Sequence, residues 1–166
     1  MKNKEQRAEK ILDIMKRVAK DDYNKDDLTY AINLCSKLIK NRMNKELEKE
    51  GITVAQFILL KDVELHLNLE KNDELTPVLI ASRLDMDKPT ISGIINRLIY
   101  KGYLDKLPNE NDRRSYLVTL TEKAKIQMES FEKINREIVE LAISGIDKEK
   151  LYIFGEVLSE VMINVR

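Results

Sequence analysis

The chain has 166 residues, with 29 basic and 29 acidic side chains, one histidine and one cysteine. That length fits one domain of ordinary size, or a small module with helical extensions. A lone Cys35 and a lone His66 exclude a disulfide framework and a His/Cys zinc site. No run of 18 apolar residues predicts a membrane span, and no apolar secretion core opens the chain. Together with the single cysteine this points to a reducing cytoplasm.

In chain order, residues 3 to 20 place Ile11, Met15 and Val18 on one face of a charged helix, and Asp21-Asp22-Tyr23-Asn24 breaks it. A second helix is expected from about 27 to 50. Its stripe is Leu28, Ile32, Cys35, Leu38 or Ile39, and Met43, and Gly51 is its stop. Thr53-Val54-Ala55-Gln56 is a capping box, and Ile52 and Phe57 stand at the spacing of a hydrophobic staple. That helix is expected to run to about Leu65. Residues 66 to 74 read as a polar connection, with Leu75 available to add a short strand to a later hairpin.

Residues 76 to 101 predict two short helices and a tight turn. Thr76 is a good N-cap, Pro77 suits the first helical position, and Leu75 and Ile80 staple the start. Asp87 is the next cap, stapled by Met86 and Ile91, so residues 85 to 87 form the turn although no glycine stands there. Ile91, Ile94 or Ile95, and Leu98 make a buried stripe. The opposite face carries Pro89, Thr90, Ser92, Gly93, Asn96 and Arg97, small or polar groups able to approach base edges closely. Gly102 is the stop.

The period then changes to two. Residues 103 to 107 and 116 to 120 read as hairpin strands, with Tyr116, Val118 and Leu120 alternating against Leu117 and Thr119. The intervening Pro108-Asn109-Glu110-Asn111-Asp112-Arg113-Arg114 is too long for a tight turn and too polar for a core. Two helices followed by such a hairpin make a winged helix-turn-helix. Its second helix fits the major groove of DNA, and a loop with adjacent arginines suits phosphate or a narrow minor groove. Charge is partly segregated to match. Residues 88 to 106 hold Lys88, Arg97, Lys101 and Lys106 against Asp105 alone, a net of +3, whereas residues from 124 onward carry a net of −2.

Residues from 121 predict a long helix with Ala124, Met128, Phe131, Ile134 or Asn135, Ile138, and Leu141 or Ala142 on one face, broken at Gly145. Asp147 caps a last helix with Leu151, Phe154, Leu158, Val161 and Val165. Neither helix can bury its stripe on the small winged module alone. Pairing with the first helices and with a second subunit would bury it.

Asp112-Arg113-Arg114 followed by Leu120-Thr121, with Leu98-x-x-x-Gly102-Tyr103-Leu104 upstream, resembles the MarR family of bacterial and archaeal transcriptional regulators, over roughly residues 24 to 166. The resemblance implies a mainly α fold with a small β-hairpin wing (α+β). In that reading an extension helix at 1–22 precedes a domain at 23–166. The winged helix-turn-helix lies at about 53–120, and dimerisation helices lie at about 27–50 and 121–166. It further implies that Arg114 enters the minor groove braced by Asp112, and that Thr90, Ser92 and Arg97 contact bases or phosphates. Lys88, Asn96 and Arg113 complete the expected DNA-binding set. Two positions depart from the family pattern: Ala124 stands in place of a glycine, and Gly93 in place of a larger polar residue.

The functional expectation is a homodimeric regulator of transcription bound to double-stranded DNA at an inverted repeat, a repressor released by a small ligand. The alternative is a winged helix used only for protein–protein contact. No nucleophile or acid–base motif points to an enzyme, and nothing calls for a cofactor or a metal. Some family members sense peroxide through a cysteine near the N-terminus. Cys35 does not match that position and, lying on an apolar stripe, is expected to be a buried, inert packing group.

Overall fold

The computed structural model describes residues 25–68 and 75–165, with isolated helical positions at 6, 9, 12, 13 and 16. The helix expected over residues 3 to 20 and its break at 21 to 24 otherwise lie outside the described residues. The order is α1 (Lys25–Leu47), a 3-10 turn (Glu48–Glu50), α2 (Val54–Asn68), α3 (Pro77–Arg83), α4 (Lys88–Tyr100), β1 (Leu104–Pro108), β2 (Tyr116–Leu120), α5 (Glu122–Ile143) and α6 (Lys148–Asn164). Two compact units divide inside α1: Met1–Arg42 and Met43–Arg166.

Caps set the element boundaries in the second unit. Gly51, at φ 77°, closes α1 and its 3-10 turn. The Gly51 amide donates to the Glu48 carbonyl and the Ile52 amide to that of Leu47, the paired bonds of a Schellman stop. The Thr53 amide donates to Gln56 Oε1 at 3.1 Å, and the Gln56 amide donates to Thr53 Oγ1 at 3.3 Å, completing the capping box. Thr76, Asp87, Thr121 and Asp147 each accept from the amide three residues on and so start α3, α4, α5 and α6. The turn between α3 and α4 works without glycine because Asp85 takes the left-handed conformation, φ 50°, which a short polar side chain tolerates better than a branched one.

α2 is longer than the polarity of its end suggests. It continues to Asn68, so His66 lies in its last turn and not in a connection. His66 Nδ1 sits 2.8 Å from the Asp62 carbonyl oxygen one turn back. Arg83 at the end of α3 donates to Asp62 through Nε at 3.1 and 3.2 Å and through Nη2 at 2.7 Å. The Asp62 side chain is only 8 % exposed. This fork-to-carboxylate pair joins the first helix of the helix-turn-helix to α2.

The core lies where α2, α3, α4, the hairpin and the first turns of α5 meet. Leu59, Leu60, Val63, Ile80, Ile91, Ile95, Leu98, Leu104 and Phe131 are fully buried. Tyr103 meets Phe131 edge to face, ring centres 5.9 Å apart, a favourable aromatic geometry. β1 and β2 are antiparallel, with Leu104 opposite Leu120 and Pro108 opposite Tyr116. The first strand therefore runs one residue further than its alternation predicts. Pro108 fits because both strands of a two-stranded sheet are edges. Leu75 adds one backbone bond, its carbonyl accepting from the Val118 amide at 2.9 Å, without forming a strand.

The two ends of the chain differ from this core. In α1, Cys35 is exposed, contrary to the burial expected from its place on the stripe. Ile32 and Leu38 on the same helix are exposed with it, and of the stripe only Met43 is buried. α6 buries none of its residues.

Candidate nucleic-acid interface

The second helix of the motif presents two unlike faces. Ile91, Ile94, Ile95 and Leu98 are buried, so the opposite side must face outward. Lys88, Pro89, Thr90, Asn96 and Arg97 are exposed there, with Ser92 and Gly93 half-exposed among them. The start of the helix is fixed by Asp87. Its carboxylate accepts from the Thr90 amide at 2.8 Å and from the Thr90 hydroxyl at 2.6 Å. These bonds, the hydroxyl's first and the amide's second, hold the Asp87 carboxyl below the ordinary carboxylate range. They also narrow what Thr90 can do. Its hydroxyl proton is committed to the cap, so its oxygen is left to accept, for example from a base amino group, and not to donate to a phosphate.

Gly93 is helical, and a methyl group there would meet only Arg97 Nη2, at 3.6 Å. The glycine is therefore not required by packing. It lowers the profile of the exposed face between Ser92 and Asn96.

The far end of α4 is tied down. The Gly102 amide donates to the Ile99 carbonyl and the Tyr103 amide to that of Leu98, with Gly102 at φ 72°. Lys101 Nζ donates to the Gly51 carbonyl at 2.6 Å and to Gln56 Oε1 at 3.0 Å. Lys123 Nζ donates to the Lys101 carbonyl at 2.7 Å.

The wing is built by its own side chains. Asn109 is buried and its Oδ1 accepts from the amides of Asn111, at 2.9 Å, and Asp112, at 3.2 Å. Asp112 Oδ1 in turn accepts from the Arg114 amide at 2.9 Å, and the Ser115 amide donates to the Asp112 carbonyl at 2.9 Å. Asp112 and Arg114 are thus brought together, through the arginine backbone. The side chains of Arg113 and Arg114 are exposed at the tip.

Lys106 links wing and helix, a role its place in the sequence does not announce. Its ammonium lies 4.4 Å from the Tyr116 ring centre and reaches Asn96 Oδ1 at 3.4 Å. The pairing register puts Lys106 opposite Val118, so Tyr116 is its diagonal neighbour on the same face. Without the register that contact is invisible. Tyr100 is a second residue that sequence reasoning misses: the last residue of α4 is 92 % exposed. Among the described residues no group of three or more His, Cys, Asp or Glu side chains is placed to hold a metal ion, and no helix is long and apolar enough to cross a membrane.

A shallow pocket borders this surface. It is lined by Thr53, Gln56, Thr90, Ile94, Arg97 and Lys101, among others.

Comparison with known proteins places these features. A family model described as MarR family matches residues 50–115, from the end of the 3-10 turn to the end of the wing loop. The multiple antibiotic resistance protein MarR of Escherichia coli K12 is 34 % identical over 79 residues, 48 % of this chain and 51 % of that protein. The chain thus spans about half the length of the MarR proteins it matches. A MarR transcriptional regulator from Methanosarcina mazei Go1 superimposes with a TM-score of 0.73 at 27 % identity, covering 86 % of this chain and 100 % of that one. A mutant of E. coli MarR complexed with operator DNA has the same fold, with a TM-score of 0.72 at 24 % identity over 81 % of this chain and 92 % of that one. Motif, match and fold agree: residues 50–115 are similar to the MarR family, and the chain has the fold of MarR proteins.

Proposed function

We propose that the chain is a DNA-binding transcriptional regulator acting as a homodimer, a repressor released by a small ligand. The observation that carries the reading is the joint exposure of the polar face of α4 and the wing arginines, with Lys106 bridging Asn96 and the wing. A helix face free of large apolar groups suits base edges, and a basic loop suits phosphates or a narrow minor groove. The operator complex of the E. coli relative supports it by fold. Repression follows from occupancy, since a protein seated on a promoter excludes the polymerase.

Assembly is supported by α6. Phe154, Val157, Leu158, Val161 and Met162 are all exposed, an apolar face too large to leave to water on a stable monomer. A second copy would cover it, and two-fold symmetry would then present two recognition helices to an inverted repeat. Release has a candidate place in the pocket beside α4. A small anion held between Arg97 and Lys101 would take from DNA a cation of the reading face.

Fluorescence anisotropy with the chain's own upstream region and with random duplex tests the central claim. Tighter binding of the first, weakening steeply with salt, is expected. Equal, undetectable binding of both duplexes would sink it and leave a protein–protein module.

A further inference from the structure

We infer that Tyr100 is a further DNA-contacting residue of the reading face, donating its phenolic hydroxyl to a backbone phosphate where α4 leaves the groove; this rests on the DNA-binding reading above. Three observations converge. First, Tyr100 is the most exposed of the large apolar and aromatic side chains among the described residues, at 92 %. A tyrosine ring left almost wholly in water gives up its packing gain. Second, its phase is specific. At 100° per residue, the buried stripe of Ile91, Ile94, Ile95 and Leu98 centres on one side of α4. Tyr100, four residues after Asn96 and seven after Gly93, points almost diametrically away from that stripe. It extends the exposed polar face by one turn and does not belong to the flank that packs on the hairpin.

Third, the backbone that carries it is fixed. The Schellman stop at Gly102 and Tyr103, the Lys101 ammonium on Gly51 and Gln56, and the Lys123 ammonium on the Lys101 carbonyl all hold the turn around Tyr100. Only two side-chain torsions are left to order, so a contact from this position loses little entropy on binding. In a helix whose first turns enter the groove, the last turn rides at its rim, where the accessible partners are phosphate oxygens and sugars. A neutral hydroxyl is a donor suited to them.

The test compares the wild type, Tyr100→Phe and Tyr100→Ala by anisotropy on operator and random duplexes across a salt series, with sedimentation of each protein. Tyr100→Phe keeps the ring and removes only the donor. It should weaken both duplexes by a similar factor of about three to ten, the range of one hydrogen bond, with the salt slope unchanged because no charge is lost. Tyr100→Ala should lose at least as much while remaining the same oligomer. Wild-type binding with unaltered Tyr100→Phe affinity would overturn this inference alone. So would a loss confined to the operator, or a change of oligomeric state in Tyr100→Ala. A wild type that binds neither duplex would overturn the DNA-binding reading itself, and this inference with it.

Discussion

Arg114 ends the wing loop with its backbone amide, not its guanidinium, bonded to Asp112. Its side chain is therefore free to reach outward. Arg114→Ala should weaken operator binding by ~1–3 kcal/mol and make the salt slope shallower by about one unit. A folded mutant with unaltered affinity and unaltered salt dependence, measured by anisotropy, would falsify the assignment. Gly93 offers the opposite trade. A methyl group there meets only Arg97 Nη2 at 3.6 Å, so Gly93→Ala should stabilise the fold by roughly 0.5–1 kcal/mol through the helix interior. It should also weaken operator binding, because it raises the face between Ser92 and Asn96. Denaturant melts and anisotropy on the same preparation show whether the two effects separate. At this scale the sequence is readable wherever a residue acts alone. The caps at Thr53, Thr76, Asp87 and Asp147 follow from local spacing. Lys106 and Tyr100 escape it for different reasons. Lys106 gains its partners across the hairpin, from the register. Tyr100 escapes because periodicity places it opposite the stripe without showing that no other element covers it.

The start of α4 ties an element to pH. Bonds from the Thr90 hydroxyl and amide lower the Asp87 carboxyl, and the Lys150 side chain and amide do the same for Asp147 at the start of α6. A depressed folded value means that the stabilisation is fully present above the unfolded carboxylate value and is lost as pH falls through the folded one. Acid should thus fray both helix starts. Asp87→Asn should remove part of the acid-side loss while keeping a competent cap, a flattening readable in denaturant midpoints from neutral pH downward. The Asp62–Arg83 pair acts between elements. Asp62→Ala strands a guanidinium that made three bonds and should cost about 2–3 kcal/mol, measured by urea unfolding. Element boundaries are legible where a stop signal is local, as at Gly51 and Gly102. The end of α2 is not. Leu65 and Leu67 in its last turn are exposed, and what holds the end of the helix is the Asp62 carboxylate shared with α3 and, within α2 itself, His66 Nδ1 on the Asp62 carbonyl. Pro108 reads as loop because proline cannot donate to a ladder, a prohibition that an edge strand escapes.

At the level of the molecule, the uncovered α6 is the clearest pointer to assembly. Leu158 and Val161 lie on its stripe, both exposed in one chain. If that stripe is the seam between copies, Leu158→Asp places a carboxylate in an apolar contact at a cost of several kcal/mol. Sedimentation should then show dissociation, and operator binding should collapse with no DNA-facing residue changed. Footprinting of the wild type should reveal two half-sites with centres about 10 base pairs apart, one helical turn, so that both α4 helices meet one face of the duplex. A wild-type monomer protecting a single half-site would contradict the dimer. Of the two C-terminal stripes expected to need a partner, that of α5 is buried within the chain at Ala124, Met128, Phe131 and Ile138, so only α6 argues for a second copy. The exposure of Cys35 is not legible in the sequence, because periodicity marks which residues share a face and not what covers it.

The wing that carries Arg113 and Arg114 holds its shape through Asn109 and Asp112, each accepting backbone amides of the loop itself. That has a kinetic consequence. A loop already folded has no ordering step to complete after encounter, so association should run at the rate that diffusion and charge steering allow. Neutral changes at wing contacts should then appear in the lifetime of the complex, and loss of Arg113 or Arg114 should in addition slow arrival through lost steering. Asn109→Ala, which removes the inner brace and no charge, should slow arrival as well.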